Sequence, residues 1–176
     1  MPLIDPLLQE LDREAETTRR VLERVPEDRL GWRPHEKSRT LGQLALHVAT
    51  LPGGVAELAA SPPPVQAPTF TDEPSPQSAA QLVPALQESV ATARRVLGGM
   101  DDAAITATLR IVRGDREVMA VPRIEFLRSI MLNHWYHHRG QLTVYLREIG
   151  VLVPAIYGPS ADEDPFSLQV LQVISK

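Results

Sequence analysis

Three of the chain's five histidines lie in one short stretch, N-H-W-Y-H-H-R-G-Q-L-T-V-Y-L, at residues 133–146. The stretch is predicted to be helical. His134 and His138 are four residues apart, so both rings project from one helix face, with about 6 Å between their β-carbons. Both occupy positions of the apolar repeat at which a helix normally buries leucine. Because neutral imidazole is a common metal ligand, this spacing predicts a metal site.

A third histidine occupies a comparable position in the second predicted helix. His47 lies in the segment L-A-L-H-V-A-T-L, at an inward position. Burial of three imidazoles without partners would cost roughly a few kcal/mol in desolvation. A divalent cation held at roughly 2.0–2.1 Å by His47, His134 and His138 would satisfy all three rings and keep positions open for water or substrate. The alternative is that they are hydrogen-bonded core histidines.

Several polar residues are weaker candidates for catalysis. Gln141 lies on the face of the ligands, where it would hydrogen-bond a bound water or substrate, or else close the end of the core. Arg139 is expected to pair with an acidic group at a helix end. Asp162 and Glu163 lie in the loop S-A-D-E-D, which either folds back over a site and supplies a general base or fourth ligand, or stays solvated. His137 points about 100° away from the ligand face and is expected to be exposed or to support a ligand.

Four amphipathic helices are predicted to position these residues, from apolar side chains that recur every three or four residues. Their expected extents are residues 4–25, ended by Pro26; Leu41 to Ala60, kinked at Pro52-Gly53-Gly54; Ser78 to Gly98-Gly99; and Pro122 to Gly150. Thr40 and Gln43 predict a capping box at the start of the second helix. The inward line of the fourth helix is predicted as Leu127, Met131, His134, His138, Gln141, Tyr145 and Ile149.

The connections between these helices complete the predicted fold. Residues 61–77 are rich in proline and predict an extended crossover, and strand-forming residues on both sides of R-G-D-R predict a short β-hairpin within 105–121. We therefore expect an all-α protein, a four-helix bundle with one long crossover and a short β-hairpin between helices 3 and 4. Residues 1–176 form one domain in this prediction, with 165–176 packed on the bundle or on a partner subunit.

Composition excludes several classes of site and partner. The chain has 176 residues, no cysteine and a net charge of -4. Without cysteine there is no disulfide, thiolate zinc site, iron–sulfur cluster or cysteine nucleophile. The acidic balance argues against nucleic-acid binding. Because the N-terminus lacks the apolar core of a signal peptide and no apolar run reaches the ~20 residues of a membrane span, we expect a cytoplasmic protein.

The same motifs resemble a known family. The segment H-W-Y-H-H-R-G-Q-L-T-V-Y-L-R-E-I-G, with L-A-L-H-V-A upstream, is similar to the DinB-like proteins, the DinB/YfiT superfamily. The family pattern of one histidine in the second helix and H-x-x-x-H-R-G-Q-L near the end of the bundle corresponds here to His47 and to residues 134–142. The segment G-W-R-P-H-E-K-S-R-T and the tail V-P-A-I-Y-G-P-S-A-D-E are further, looser similarities.

The resemblance extends from about residue 4 to residue 163 and implies more than the spacing does. It implies a four-helix bundle, a site for nickel or zinc formed by three histidines, and commonly a homodimer. The wider superfamily includes bacillithiol and mycothiol S-transferases and the mycothiol-dependent maleylpyruvate isomerase, so the resemblance does not imply one reaction. The Pro-rich segment and the predicted hairpin depart from the pattern.

Two hypotheses about function follow. In the first, the protein is a metal-dependent hydrolase or thiol S-transferase that activates water or an external low-molecular-weight thiol for a small-molecule substrate. In the second, it is a non-catalytic dimeric helical bundle whose metal is structural or sensing. Three clear ligands favour a site with an open position and hence the enzyme, whereas a fourth ligand from Asp162 or Glu163 would favour a structural site.

Overall fold

The computed structural model describes residues 1–69 and 74–166. This part of the chain is mostly helical and carries one small three-stranded sheet. None of its helices is both long and apolar enough to cross a membrane. The elements in chain order are α1 Asp5–Leu22, α2 Leu41–Ala60, β1 Val65–Gln66, α3 Leu82–Gly98, α4 Asp102–Thr106, β2 Thr108–Arg113, β3 Arg116–Pro122, α5 Arg123–Phe126, a π-helical segment Leu127–Asn133, and α6 His134–Glu148.

The long helices lie close to their predicted positions, with differences at their ends. The first helix ends at Leu22 rather than at 25, and a short 3-10 turn, Ala79–Gln81, precedes α3. The short helix α4 was not predicted. It begins where the side chain of Asp101 accepts a hydrogen bond from the Ala104 N–H at 2.7 Å, an N-cap of ordinary type.

The predicted hairpin is present, but the sheet contains a third strand. Strands β2 and β3 are antiparallel and are joined by a turn in which Gly114 has a φ of 60°, a conformation that favours glycine. β1 comes from the Pro-rich crossover and pairs in parallel with β2, with Val65 opposite Ile111. The all-α prediction is corrected here, because a strand of two residues is too short to give an alternating pattern in the sequence.

The fourth predicted helix buries a partly different set of side chains from the inward line that was expected. The π-helical segment interrupts it before His134, and because π-helical hydrogen bonds span five residues, the positions that follow shift around the helix axis. Gln141 is exposed, and Tyr145 is only half-buried. The buried side chains include three of that line, Leu127, Met131 and His138, and also Phe126, Leu132, Trp135, Arg139, Leu142 and Leu146.

The proline and glycines inside α2 do not end that helix, which runs past them to Ala60. The Gly53 N–H donates to the Ser89 hydroxyl of α3 at 2.8 Å, and that hydroxyl donates to the Thr50 carbonyl at 3.0 Å. A β-carbon on Gly53 would lie 2.9 Å from the Ser89 carbonyl oxygen. Gly53 therefore allows α2 and α3 to approach closely.

A buried arginine, Arg139, joins α6 to α1 and to the segment after α6. Arg139 is 1% exposed, and its guanidinium lies 2.6 Å from the carboxylate of Glu14. It also donates to the Thr18 hydroxyl at 3.1 Å and to the Tyr157 hydroxyl at 2.5 Å. As predicted, Arg139 pairs with an acidic side chain, which lies within α1 rather than at a helix end.

The two adjacent glycines of α2 give a first prediction. Gly53→Ala should lower the free energy of unfolding by about 2 kcal/mol, because its methyl group would overpack against Ser89. Gly54→Ala is the matched control: no atom lies within 4 Å of its added β-carbon, so the better helix propensity of alanine should raise stability by about 0.5–1 kcal/mol. Urea denaturation of the two variants measures both effects, and equal effects would contradict a close approach at Gly53.

The ion pair of Arg139 gives a second prediction. Glu14→Gln should destabilise the protein by about 3 kcal/mol, because the buried guanidinium loses its counter-charge. Glu16→Gln on the same helix removes only an exposed pair with Arg19 and should leave stability nearly unchanged. Thermal and urea unfolding provide the comparison. Equal midpoints for the two variants would show that the Glu14 pair contributes no more than a surface pair.

Candidate metal centre

Helices α2 and α6 bring the three predicted histidines together. The ligating nitrogens of His47, His134 and His138 all lie within 4.8 Å of one another. The ring centroids of His47 and His138 are 4.6 Å apart, and those of His134 and His138 are 4.4 Å apart. The Nε2 atoms of His134 and His138 face each other at 2.6 Å. Residues 87 positions apart in the sequence thus converge on one small volume.

Two local features set the start of α2 and its contact with α6. The predicted capping box is present: the Gln43 N–H donates to the Thr40 hydroxyl at 3.2 Å, and the Thr40 N–H donates to the Gln43 side chain at 2.9 Å. Further along α2, the carbonyl of Val48 accepts a hydrogen bond from the Trp135 indole N–H of α6 at 2.8 Å. Both Val48 and Trp135 are fully buried, and each directly follows one of the histidines.

The surroundings of His134 and His138 keep these two rings neutral at neutral pH. Burial, together with the neighbouring histidines and Arg39, lowers the pKa of His138 to about 4, against the effect of its hydrogen bond with Gln141. Burial, followed by the charges of His137 and Arg39, also lowers the pKa of His134. Since neutral imidazole is the form that binds metals, both rings are ready to ligate without first losing a proton.

Gln141 orients one of the rings. Its side-chain oxygen lies 2.7 Å from Nδ1 of His138. An amide oxygen can only accept, so Nδ1 is the donor and Nε2 carries its lone pair toward the other histidines. Hydrogen bonds of this kind fix the tautomer and the direction of metal-binding histidines. Gln141 lies beside the ligands as predicted, and the contact it makes there is with His138.

The other candidate residues lie outside the histidine group. His137 is exposed, with its ring centroid 5.0 Å from that of His138. Asp162 accepts from Arg147 and from the Val153 N–H, and both bonds lower its pKa.

Glu163 is held by α1 and by its own segment. It accepts from Arg20 of α1 at 2.6 Å and from the Ala155 N–H at 2.9 Å. The backbone bond is the largest of the effects that lower its pKa. Within the described residues, the group that could hold a metal consists of the three histidines and contains neither Asp162 nor Glu163.

Some residues that matter at this site were not singled out from the sequence. Trp135 lies next to the predicted inward line rather than on it, and its partner is a backbone carbonyl that no sequence pattern reveals. Pro52 offered a signal, since a proline inside a helix removes one backbone donor. Arg39 lies directly before the capping box, and its charge contributes to the lowered pKa of both His134 and His138.

Comparison with known proteins agrees with this fold. The family model described as DinB family matches residues 3–165. The protein YrdA of Bacillus subtilis (strain 168), described as uncharacterized, is 27% identical over 161 residues, which cover 91% of each chain.

Two solved structures share the fold. The chain is similar to a DinB-like protein from Bacillus cereus ATCC 10987, with 25% identity and a TM-score of 0.67 over 88% of this chain and 97% of the other. It also resembles the DinB-like protein YjoA of Bacillus subtilis, with 18% identity and a TM-score of 0.63 over 85% and 95% of the two chains. Since the family model spans nearly all of the described residues, the chain belongs to the DinB family.

Proposed function

We propose that this chain is a metal-dependent enzyme in which His47, His134 and His138 bind one divalent cation, nickel or zinc. The observation that carries the proposal is the convergence of three imidazole nitrogens within 4.8 Å of one another. When bound, the cation would act as a Lewis acid and lower the pKa of a water or thiol that reaches it. We assign a hydrolase or a thiol S-transferase reaction to this site.

The donor set fits such a cation. Three neutral nitrogen ligands suit zinc and nickel alike. Three ligands are fewer than the four of structural zinc sites, and this supports an enzyme over a structural or sensing metal protein. Because the chain has no cysteine, any thiol it uses is an external low-molecular-weight one.

The chain's own side chains orient the ligands and leave one side of them accessible. Gln141 holds His138 in the tautomer that presents Nε2, and burial keeps the rings of His134 and His138 uncharged. The exposed residues Gln141 and His137 both contact His138, and the ring of His134 next to it is half-buried. A small-molecule substrate would approach from this side of α6.

The assembly and location of the protein belong to the same proposal. We propose that the four long helices form one bundle that carries the site between α2 and α6, and that the bundle is a single domain. The family resemblance supports a homodimer, and the composition supports a cytoplasmic location without a nucleic-acid partner. Light scattering on the purified protein measures the oligomeric state directly.

The adjacent histidines His137 and His138 give the third prediction. His138→Ala should remove the bound metal and abolish turnover, because it deletes a ligand. His137→Ala is the matched control and should retain about one divalent metal per chain, because its ring lies outside the group. Elemental analysis measures the metal, and circular dichroism checks that both variants remain helical.

Activity should be tested with the same two variants. Each is loaded with zinc or nickel and assayed with ester and amide substrates, and with electrophiles in the presence of a low-molecular-weight thiol. Turnover that survives in His138→Ala would contradict the enzymatic role of the site. Equal metal content in the two variants would contradict the ligand assignment itself.

The hydrogen bond from His138 to Gln141 gives the fourth prediction. Gln141→Ala should weaken zinc binding by about 10-fold, because the ligand loses the partner that fixes its tautomer. Glu148→Ala changes an exposed residue two turns further along α6 and should leave zinc binding unchanged. Competition with a chromogenic zinc chelator measures both affinities. Equal affinity in the two variants would mean that Gln141 does not orient the ligand.

A further inference from the structure

Pro52 lies inside α2 and changes which backbone groups of that helix have partners. In an α-helix, each carbonyl accepts a hydrogen bond from the N–H four residues further on. For Val48 that residue is Pro52, which has no N–H. Both residues are buried, so solvent is a poor substitute for the missing donor. The Val48 carbonyl therefore requires a donor from outside the helix.

Trp135 of α6 supplies that donor. Its indole N–H lies 2.8 Å from the Val48 carbonyl oxygen, and its side chain is fully buried. The bond joins the residue that follows His47 to the residue that follows His134. A directional bond at this place fixes both the rotation of the two helices and their relative height beside the ligands.

We propose that Pro52 and Trp135 are positioning residues for the metal site. Pro52 leaves the Val48 carbonyl to the indole, and the resulting hydrogen bond sets His47 opposite His134 and His138. The inference rests on the proposed function, because it concerns the alignment of the same three ligands. This role of Trp135 differs from packing, because another aromatic ring would fill much of the same space without donating a hydrogen bond to the Val48 carbonyl.

The role in positioning can be separated from a role in stability with a pair of variants. Trp135→Phe removes the indole donor and leaves the Val48 carbonyl buried without one, so stability and zinc affinity should both fall. Adding Pro52→Ala restores a backbone N–H that can pair with Val48 within the helix. The double variant should regain part of the lost stability, yet its zinc affinity should stay about 10-fold below that of the unmodified protein.

The single variant Pro52→Ala tests the part played by the proline. Its new N–H draws the Val48 carbonyl back into the helix and weakens the bond to the indole. Hydrogen exchange of the Trp135 indole N–H, followed by NMR, should therefore be faster than in the unmodified protein. An unchanged exchange rate would overturn the role assigned to Pro52.

The zinc measurements have an internal reference and a matched control. Trp32→Phe makes the same change at a half-buried tryptophan that packs edge-on against Tyr145, and it should leave zinc affinity unchanged. Recovery of zinc affinity together with stability in the double variant would overturn the positioning role, as would full affinity in Trp135→Phe. Absence of zinc binding in the unmodified protein would instead refute the proposed metal site, so the two failures are distinct.

Discussion

A helix that continues past a proline has a carbonyl that its own backbone cannot satisfy, and this constraint in α2 governs how the neighbouring helices pack. The carbonyl that loses its donor at Pro52 is that of Val48, and the indole of Trp135 occupies the vacant position from α6. On the side of α3, the Ser89 hydroxyl bonds to the backbone of Thr50 and Gly53. These bonds give α2 directional contacts to both α6 and α3, whereas apolar packing alone would tolerate small rotations.

The histidine cluster depends on this alignment because the rings of His47, His134 and His138 converge on one another. Burial removes the charge from His134 and His138, so no electrostatic repulsion opposes their approach. Each ring still requires something to occupy its lone pair. A shared cation meets that need for all three rings at once. Next to this cluster, Arg139 anchors α6 to α1 through Glu14 and to the segment after α6 through Tyr157, so α6 is held on the side of α1 as well as on that of α2.

Local patterns account for much of what could be predicted from the sequence. The apolar repeats indicated the long helices, the spacing of His134 and His138 indicated the cluster, and Thr40 with Gln43 indicated the capping box. The π-helical segment could not be predicted, because its residues do not differ in type from those of an ordinary helix, and it moved Gln141 and Tyr145 out of the core line. Strand β1 is too short to show a pattern, and the bond of Trp135 to the Val48 carbonyl is a tertiary contact between α6 and α2. The prediction for 165–176 falls mostly on residues outside the described ranges.

The central claim is that three imidazoles from α2 and α6 bind one divalent cation and leave it a position for a reactant. X-ray absorption at the metal edge of the zinc-loaded protein tests this most directly, because it counts the imidazole ligands and measures their distances. We expect three imidazole nitrogens at roughly 2.0–2.1 Å together with light-atom scattering from an exchangeable ligand. A spectrum without imidazole scattering, or with four protein ligands and no exchangeable one, would contradict the claim.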